Sequence, residues 1–342
     1  MERKPVVIPE KKTESHGSYF TTVKKESLQF IPSGSTLLDC VIGGGWPLGR
    51  MSNIVGDKSS GKTLLAIEAC ANCNYLYPDA EMFYLEAEAA FDKDYAQALG
   101  MPIEKIDFIE ELSDFTIEGW FEHLESVTAQ LAKSGKPALY IVDSLDALSD
   151  RAEKGRKIDE GTFGGNKPKM IGQLFRRLTK EIENTQLHLM IISQIRDNIG
   201  VSFGEKHTRT GGKAMDFYAS QILWLAQLKK LDRTIRKQKR VYGVQIKAKC
   251  KKNKVGLPFR ECEFPIIFGY GVDDVTSMMT WLDGMGDTDY KSIFSNLSSV
   301  TPDAIKALPM DVRRPLLTQL QEVVVDTWQE IENNFIPKVS KY

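Results

Sequence analysis

The sequence predicts an α/β fold with a mostly parallel central sheet that is flanked by helices. Residues 56–63 (GDKSSGKT) fit G-x-x-x-x-G-K-[ST], the phosphate-binding P-loop. An apolar run of strand length precedes this motif at 51–55, and a helix-like segment follows it at 64–70. Mainly apolar runs at 138–144 and 187–193 have the length and composition of strands buried on both faces, as in parallel sheets.

The residue types of the P-loop suit a phosphate site. Glycines at both ends let the backbone approach a phosphate without a clash at Cβ, and successive backbone N–H groups can then form an anion nest. Lys62 can bring a positive charge to the β- and γ-phosphates, and the Thr63 hydroxyl can hold Mg²⁺. The strand before the motif and the helix after it argue against a chance match in a loop. We therefore expect nucleotide binding by Gly56, Ser59, Ser60, Gly61, Lys62 and Thr63.

Length and composition indicate a soluble protein. The chain has 342 residues, of which 42% are hydrophobic and 27% charged, as is usual for globular domains. It contains no apolar run long enough to span a membrane, and no apolar signal segment follows the first residues, so we expect a cytoplasmic protein without membrane contact. Five cysteines without a framework spacing fit a reduced compartment. The net charge of −1 gives no overall attraction to nucleic acid.

Polar side chains follow three of the predicted strands. Glu86 and Glu88 come after a strand at 82–85, at the sheet edge where α/β proteins bind ligands. One of them could orient or deprotonate the water that attacks a γ-phosphate, although an acidic helix start explains the spacing equally well. Asp143 occupies the Walker B position of a metal ligand, with a helix cap as the alternative. Gln194 could contact a γ-phosphate and sense its hydrolysis.

The chain divides into an arm, a core and a C-terminal region. Residues 1–28 are polar and predict an N-terminal arm, 29–272 form the predicted core, and 273–342 are predicted to be helical. Within the core, glycine-containing basic loops are predicted at 151–169 and 195–213. The second loop could follow a phosphate backbone while it inserts apolar side chains between bases, or it could be a surface lid.

A strongly basic stretch lies between two further predicted strands, 222–228 and 241–249. Residues 229–254 contain twelve basic residues and one acidic residue. A solvated face is the ordinary explanation of a charge run, but this imbalance predicts an anionic partner.

The ordered series of motifs resembles the RecA-type DNA recombinases over residues 29–272. The matching segments are IPSGS at 31–35, SSGKT at 59–63, IVDS at 141–144, QIR at 194–196, TGG at 210–212, FYAS at 217–220 and KNK at 252–254. The resemblance implies a RecA-type P-loop NTPase core that uses ATP and Mg²⁺. Lys58 stands at a P-loop position that is usually acidic in bacterial members, and residues 229–240 have no clear counterpart.

The resemblance also implies roles for single residues around the nucleotide. Glu88 matches the carboxylate that activates the attacking water, and Gln194 matches the γ-phosphate sensor. Asp92 and Tyr95 match the positions that meet the adenine, by a hydrogen bond and by stacking. Thr63 and Asp143 are the expected Mg²⁺ ligands.

Further roles follow for assembly and for DNA. Lys252 and Lys254 match lysines that reach the γ-phosphate of the neighbouring subunit, so ATP would lie between subunits. Ile199 would be the wedge between base triplets. The residues that fall where the family grips DNA phosphates are Lys169, Arg176, Arg196, Gly211, Gly212 and Lys213.

The function expected from the resemblance is that of a DNA-dependent ATPase. Such a protein polymerises into a helical filament on single-stranded DNA and catalyses pairing and strand exchange with homologous double-stranded DNA, in recombination and repair. Two alternatives are a ring-shaped motor of the same fold and a nonenzymatic regulator of a recombinase filament. Intact Lys62, Glu88 and Asp143 argue against the regulator.

Overall fold

The computed structural model describes residues 28–109, 116–154, 166–197 and 207–337. In this part of the chain, a small sheet pairs β1 (Phe30–Ile31) with β2 (Trp46–Pro47). The strands of the large sheet are β3 (Met51–Gly56), β4 (Glu81–Glu86), β5 (Ile106–Phe108), β6 (Ala138–Asp143), β7 (Leu187–Asp197), β8 (His207–Arg209), β9 (Gln221–Ile235), β10 (Gln238–Asn253), β11 (Glu261–Ile267) and β12 (Gly271–Val272).

Most of the large sheet is parallel. Its order is β12-β11-β10-β9-β3-β7-β6-β4-β5, with β8 paired to β7. The neighbours from β5 to β9 run parallel, and the pairs from β9 to β12 and β7–β8 are antiparallel. The predicted α/β fold with a mostly parallel central sheet is confirmed.

Helices cover both faces of this sheet. They are α1 (Thr36–Ile42), α2 (Lys62–Leu76), α3 (Lys93–Ala98), α4 (Ile117–Ser134), α5 (Arg151–Lys154), α6 (Asn166–Glu183), α7 (Gly212–Tyr218), α8 (Asp274–Gly284), α9 (Pro302–Lys306) and α10 (Met310–Phe335). Short 3₁₀ turns lie at Ile103–Lys105 and Asp289–Phe294. None of the helices in the described ranges is long and apolar enough to cross a membrane.

Two apolar cores form because the central strands are buried on both faces. Successive side chains of a strand point to opposite faces. Ile54 and Ile141 therefore enter one core, together with residues of α1, α2, α8 and α10. Val55 and Val142 enter the other core, with residues of α4, α6 and α7. This double burial explains why the sequence of these strands is an apolar run without alternation.

The structure differs from the sequence-based boundaries of the two basic loops. Helix α6 begins at Asn166, so Lys169 lies on a helix. Its early proline, Pro168, is tolerated because the N–H groups of a first helical turn have no intrahelical acceptor. At the second loop, β7 continues to Asp197, and β8 and α7 begin before residue 213. The remainder, 155–165 and 198–206, lies outside the described residues.

A half-buried carboxylate connects α2 with β12. The Glu68 carboxylate accepts a hydrogen bond from the backbone N–H of Val272 at 3.1 Å. Its other oxygen, Oε2, lies 2.9 Å from the position that a Cβ would take at Gly34. Burial raises the pKa of Glu68 to about 7, although the Val272 hydrogen bond lowers it. The group therefore titrates near neutral pH.

We predict that Glu68→Gln stabilises the fold above neutral pH. Because the folded-state pKa of Glu68 is raised, its contribution to stability is complete below about pH 4.5 and is lost as the pH rises through about 7. The amide cannot ionise, so the variant should gain up to about 3 kcal/mol in unfolding free energy at pH 8 and little at pH 5. Urea unfolding at both pH values measures the difference. An equal gain at both would contradict the prediction, and the exposed Glu330→Gln is the control.

Candidate functional site

The P-loop is the turn between β3 and α2. Gly61, the residue before α2, has a left-handed φ of 89°, and a Cβ there would lie 2.5 Å from Cδ1 of Ile266. Ser59 also has a positive φ, of 59°. The Ser60 hydroxyl donates to the carbonyl of Asp57 at 2.8 Å and holds the turn closed. The first N–H groups of α2 have no intrahelical acceptor, so they can bind an anion in this turn.

Lys62 folds back over this turn. Its Nζ donates to the carbonyl oxygens of Gly56 at 2.9 Å and Asp57 at 2.7 Å. Burial lowers the pKa of Lys62, while the negative charges of Asp143 and Glu88 raise it. The ammonium group therefore lies where a phosphate held by the loop would meet it.

Thr63 and Asp143 meet beside the loop. The Thr63 hydroxyl donates to Oδ2 of Asp143 at 2.7 Å, and the Tyr84 hydroxyl donates to the same oxygen at 2.9 Å. Burial raises the pKa of Asp143, and the two hydroxyl hydrogen bonds lower it. Tyr84 was not identified from the sequence, since an aromatic residue inside a buried strand ordinarily indicates packing.

The Thr63–Asp143 pair has the chemistry of a Mg²⁺ site. Mg²⁺ takes oxygen ligands and is commonly held by one or two carboxylates together with substrate phosphates and water. Within the described ranges, no group of three or more His, Cys, Asp or Glu side chains could hold a metal ion. The oxygens of Thr63 and Asp143 fit a Mg²⁺ ion whose other ligands are phosphate oxygens and water.

Glu88 and Gln194 come together at one edge of the parallel part of the sheet. Oε1 of Glu88 accepts hydrogen bonds from Nε2 of Gln194 at 2.8 Å and from the Ser144 hydroxyl at 2.5 Å. Glu88 follows β4 and Ser144 follows β6, while Gln194 lies on β7 level with Gly56, the last residue of β3. Ser144, directly after Asp143, was not singled out from the sequence.

Asp146 is a further residue that the sequence reasoning missed. Its Oδ2 accepts the backbone N–H of Gln194 at 2.7 Å, and its Oδ1 accepts the hydroxyl of Thr210. Asp146 thus connects the candidate phosphate sensor to the residue before Gly211. The only signal in the sequence is an acidic residue three positions after Asp143 at the end of a buried strand.

A cavity of about 290 Å³ adjoins the P-loop. Asp92 caps α3 by accepting the backbone N–H of Tyr95 at 2.9 Å, and the Tyr95 ring is 39% exposed beside it. A flat aromatic ring next to a carboxylate can hold a nucleobase by stacking and hydrogen bonding. The residues lining the cavity include Ser59, Gly61, Thr63, Asp92, Tyr95, Val244, Ile266 and Phe268.

Lys252 and Lys254 lie away from the P-loop along the strand direction. Ile222 of β9 pairs with Asn53 of β3 on one side and with Lys252 on the other. The P-loop begins at Gly56, three residues further along β3 and roughly 10 Å away along the strand direction. The backbone of Lys252 is therefore separated from the P-loop of the same chain by this distance and by the width of β9.

The same lysines hold the end of α7. Nζ of Lys252 donates to the carbonyls of Asp216 and Phe217, and Nζ of Lys254 donates to Phe217 at 3.4 Å. Burial and, to a smaller extent, the positive charge of Lys254 together lower the pKa of Lys252 to about 8. The carbonyl end of a helix favours such cations.

The predicted DNA-binding residues of α6 and α7 share one surface. Lys169, Gly172 and Arg176 recur at helical spacing along α6, and both cations are exposed. A Cβ at Gly172 would lie 3.9 Å from Cβ of Ala214, so this face of α6 packs beside the exposed Lys213 of α7. Three of the predicted phosphate-binding cations therefore lie next to each other.

Two other predicted DNA contacts cannot be located fully. Arg196 lies on β7, and its backbone pairs with Thr208 of β8. The side chain of Arg196 and the whole of Ile199 lie outside the described residues. Their roles stay predictions.

The arrangement around Thr63 and Asp143 is that of a P-loop nucleotide-binding protein. Sequence comparison defines the class more narrowly, because a family model described as the RecA N-terminal domain matches residues 11–273. The chain belongs to the RecA family.

Individual relatives have moderate identity. Protein RecA of Streptomyces ambofaciens is 34% identical over 253 residues, which cover 72% of this chain and 63% of the relative. Protein RecA of a Nocardioides species is 35% identical over 250 residues, which cover 72% and 66%. Protein RecA of Treponema denticola is 32% identical over 304 residues, which cover 86% and 70%. The chain thus spans just under two thirds of the length of the first two relatives.

We predict that Gly211→Ala destabilises the start of α7, whereas Gly172→Ala in α6 does not. Gly211 has a left-handed φ of 81°, and a Cβ there would lie 2.7 Å from Cγ of Met215. Gly172 has no positive φ, and a Cβ there would make only an ordinary contact of 3.9 Å. The left-handed conformation and the close contact together should cost Gly211→Ala about 2 kcal/mol of unfolding free energy. Denaturant unfolding of both variants measures this, and equal losses would count against the argument.

Proposed function

We propose that the protein is a DNA-dependent ATPase that forms filaments on single-stranded DNA. In this proposal, the filament pairs its strand with homologous double-stranded DNA and exchanges strands, in recombination and repair. The observation that carries the proposal is the hydrogen-bonded chain from Glu88 through Gln194 and Asp146 to Thr210. It connects a candidate catalytic carboxylate with the segment that leads into the basic surface of α6 and α7.

The nucleotide would lie along the edge of the sheet. Its phosphates would meet the N–H groups of the P-loop and the ammonium group of Lys62, which already lies inside the turn. The adenine would enter the cavity beside Asp92 and Tyr95. Thr63 and Asp143 would hold Mg²⁺, which when bound offsets the negative charge of the phosphates.

Glu88 would orient the attacking water and accept its proton. Its Oε1 accepts two hydrogen bonds, from Gln194 and Ser144, which fix the direction of the carboxylate. Positioning of a water by a fixed carboxylate lowers the entropic cost of reaching the transition state. Ser144 would act as a positioning residue in this step.

Gln194 would couple the nucleotide to DNA. The side-chain amide nitrogen of Gln194 has two N–H donors. It could donate a hydrogen bond to Glu88 or to a γ-phosphate oxygen. A shift of the amide towards a phosphate would change the end of β7, which Asp146 ties to Thr210. ATP would thus favour one of two arrangements of the segment between them.

The position of Lys252 and Lys254 supports a nucleotide site that two subunits share. Within one chain they lie roughly 10 Å back along the strands from the P-loop, and they are held in a defined orientation at the end of α7. Phe217, beside them, is 70% exposed, which suits an apolar contact with a neighbour. Repetition of such a head-to-tail contact generates a helical polymer when the rotation between subunits does not close a ring.

The most direct test is electron microscopy with single-stranded DNA, in the presence and absence of an ATP analogue, together with a D-loop assay. Filaments that need the nucleotide, and D-loops that need ATP, are the expected results. Closed rings would indicate a motor of the same fold, and absence of filaments under all conditions would refute the proposal.

We predict that Lys62→Ala abolishes nucleotide-dependent DNA binding. Loss of the charged hydrogen bonds to phosphate should weaken nucleotide binding about tenfold or more. Fluorescence anisotropy with labelled single-stranded DNA, with and without an ATP analogue, measures the effect. Lys58→Ala is the matched control because Lys58 is exposed in the same turn. Undiminished stimulation of Lys62→Ala by the nucleotide would defeat the prediction.

We predict that two inactive variants restore each other when mixed. Glu88→Gln removes the catalytic carboxylate, and Lys252→Ala removes the lysine that a neighbour would supply. In a random equal mixture, about a quarter of the shared sites would combine an intact Glu88 with an intact Lys252. ATP hydrolysis should therefore recover to about a quarter of the wild-type rate.

The double variant Glu88→Gln/Lys252→Ala, mixed with either single variant, is the control for this experiment. It should give no recovery, since no site could then contain both groups. Absence of recovery between the single variants would mean that Lys252 does not act across the interface.

A further inference from the structure

Strands β9 and β10 continue beyond the sheet as an arm. Leu225 of β9 pairs with Gly56, so it is level with the start of the P-loop, and the strand runs on to Ile235. At about 3.3 Å per residue, β9 extends on the order of 30 Å past the end of β3. β11 accompanies β10 only as far as Gly243, which is level with Leu231. The outer part, residues 232–241, is thus a two-stranded ribbon, about 13 Å long, without a third strand in the described chain.

The arm carries a dense positive charge. Residues 229–240 include seven exposed basic residues and one acidic residue, Asp232. Among the described residues, ion pairs neutralise two of the seven cations, Lys239 with Asp232 at 2.9 Å and Arg233 with Asp303 at 3.6 Å. The seven are Lys229, Lys230, Arg233, Arg236, Lys237, Lys239 and Arg240.

Local stability accounts for only part of this choice of residues. Arg233 contacts the Tyr242 ring at 5.0 Å and Asp303, but it also lies directly opposite Arg240 in the ladder, and like charges in such a pair repel. The turn at the tip has positive φ at both central positions, 48° at Arg236 and 64° at Lys237, a conformation that Asn-Gly adopts far more readily. Both features weaken an isolated hairpin, and an anion bound between the arginines would relieve their repulsion.

We propose that this arm inserts into a groove of double-stranded DNA and binds its phosphates. The major groove, about 12 Å wide, admits a two-stranded ribbon. Cations lie on both faces of the arm: Arg233 and Arg240 share one face, while Lys230 lies on the other with Lys239. A groove presents phosphates on two sides, whereas a single strand would engage one face. The contacts would be independent of sequence.

This site goes beyond the proposed function, because the DNA-binding residues assigned there lie on α6, β7, α7 and the segment between them. The arm is separated from them along the chain and has its own charge. The arm would bind double-stranded DNA and would not contact the single strand.

Two double variants each remove two positive charges from the arm and introduce residues that are more favourable in a hairpin. Arg236→Asn/Lys237→Gly installs the preferred turn residues, and Arg233→Thr/Arg240→Thr replaces the repelling pair with β-branched residues. Each pair of lost phosphate contacts should reduce the slope of log affinity against log salt concentration by about 1.8, and the affinity for a labelled duplex by about tenfold or more. Thermal unfolding should occur at the same or a higher temperature.

The control variant Lys133→Gln/Lys136→Gln removes two exposed charges far from the arm and should leave duplex binding unchanged. Binding to single-stranded DNA and its stimulation of ATP hydrolysis should be unaffected in all variants. Unchanged duplex affinity in both arm variants would overturn the proposal, as would an equal loss of duplex and single-strand binding. Failure of the wild-type protein to hydrolyse ATP with single-stranded DNA would instead refute the proposed function and leave the duplex comparison valid.

Discussion

The hydrogen bond between Gln194 and Glu88 is the interaction on which the rest of the candidate site depends. It joins residues 106 positions apart, and it exists because β4 and β6 end at the sheet edge where β7 passes at the level of Gly56. The Ser144 hydroxyl completes the contact. Asp146 holds the backbone N–H of Gln194, so a movement of Gln194 that includes its backbone would be passed on to Asp146. In the proposed function, chemistry and conformational change would be combined in these few side chains.

Burial and neighbouring groups have opposite effects on the pKa values of Asp143 and Lys62. Asp143 is buried, which raises its pKa, but the hydroxyls of Thr63 and Tyr84 lower it again. Lys62 has the reverse balance, with burial lowering its pKa and the neighbouring carboxylates raising it. Lys62 and the neighbouring carboxylates therefore stabilise each other's charged forms. A bound phosphate would add negative charge and would interact with the same Lys62 ammonium group.

Sequence reasoning proposed several elements of this site from local signals. A P-loop needs only a few consecutive residues, and Asp143 and Gln194 each come at the end of an apolar run, whereas the choice of Glu88 over Glu86 came from the resemblance to the RecA-type recombinases. Asp146 escaped notice because its role arises from contacts with Gln194 and Thr210, which only the folded chain brings together. The sequence showed the positive charge of the arm formed by β9 and β10, but it did not predict the two strands there. These strands show no apolar alternation, and they are held by pairing with each other.

In the proposed polymer, the offset between the P-loop and Lys252 would give each subunit two unlike ends. A linear chain of subunits built on shared sites has one complete site fewer than it has members, so a single subunit has none. Hydrolysis per subunit would then rise with the length of the polymer. The two termini would also differ, one offering unpaired lysines and the other an incomplete nucleotide site, and growth and release need not occur at the same terminus. The direction in which the polymer grows along DNA would then follow from the arrangement of the strands within one subunit.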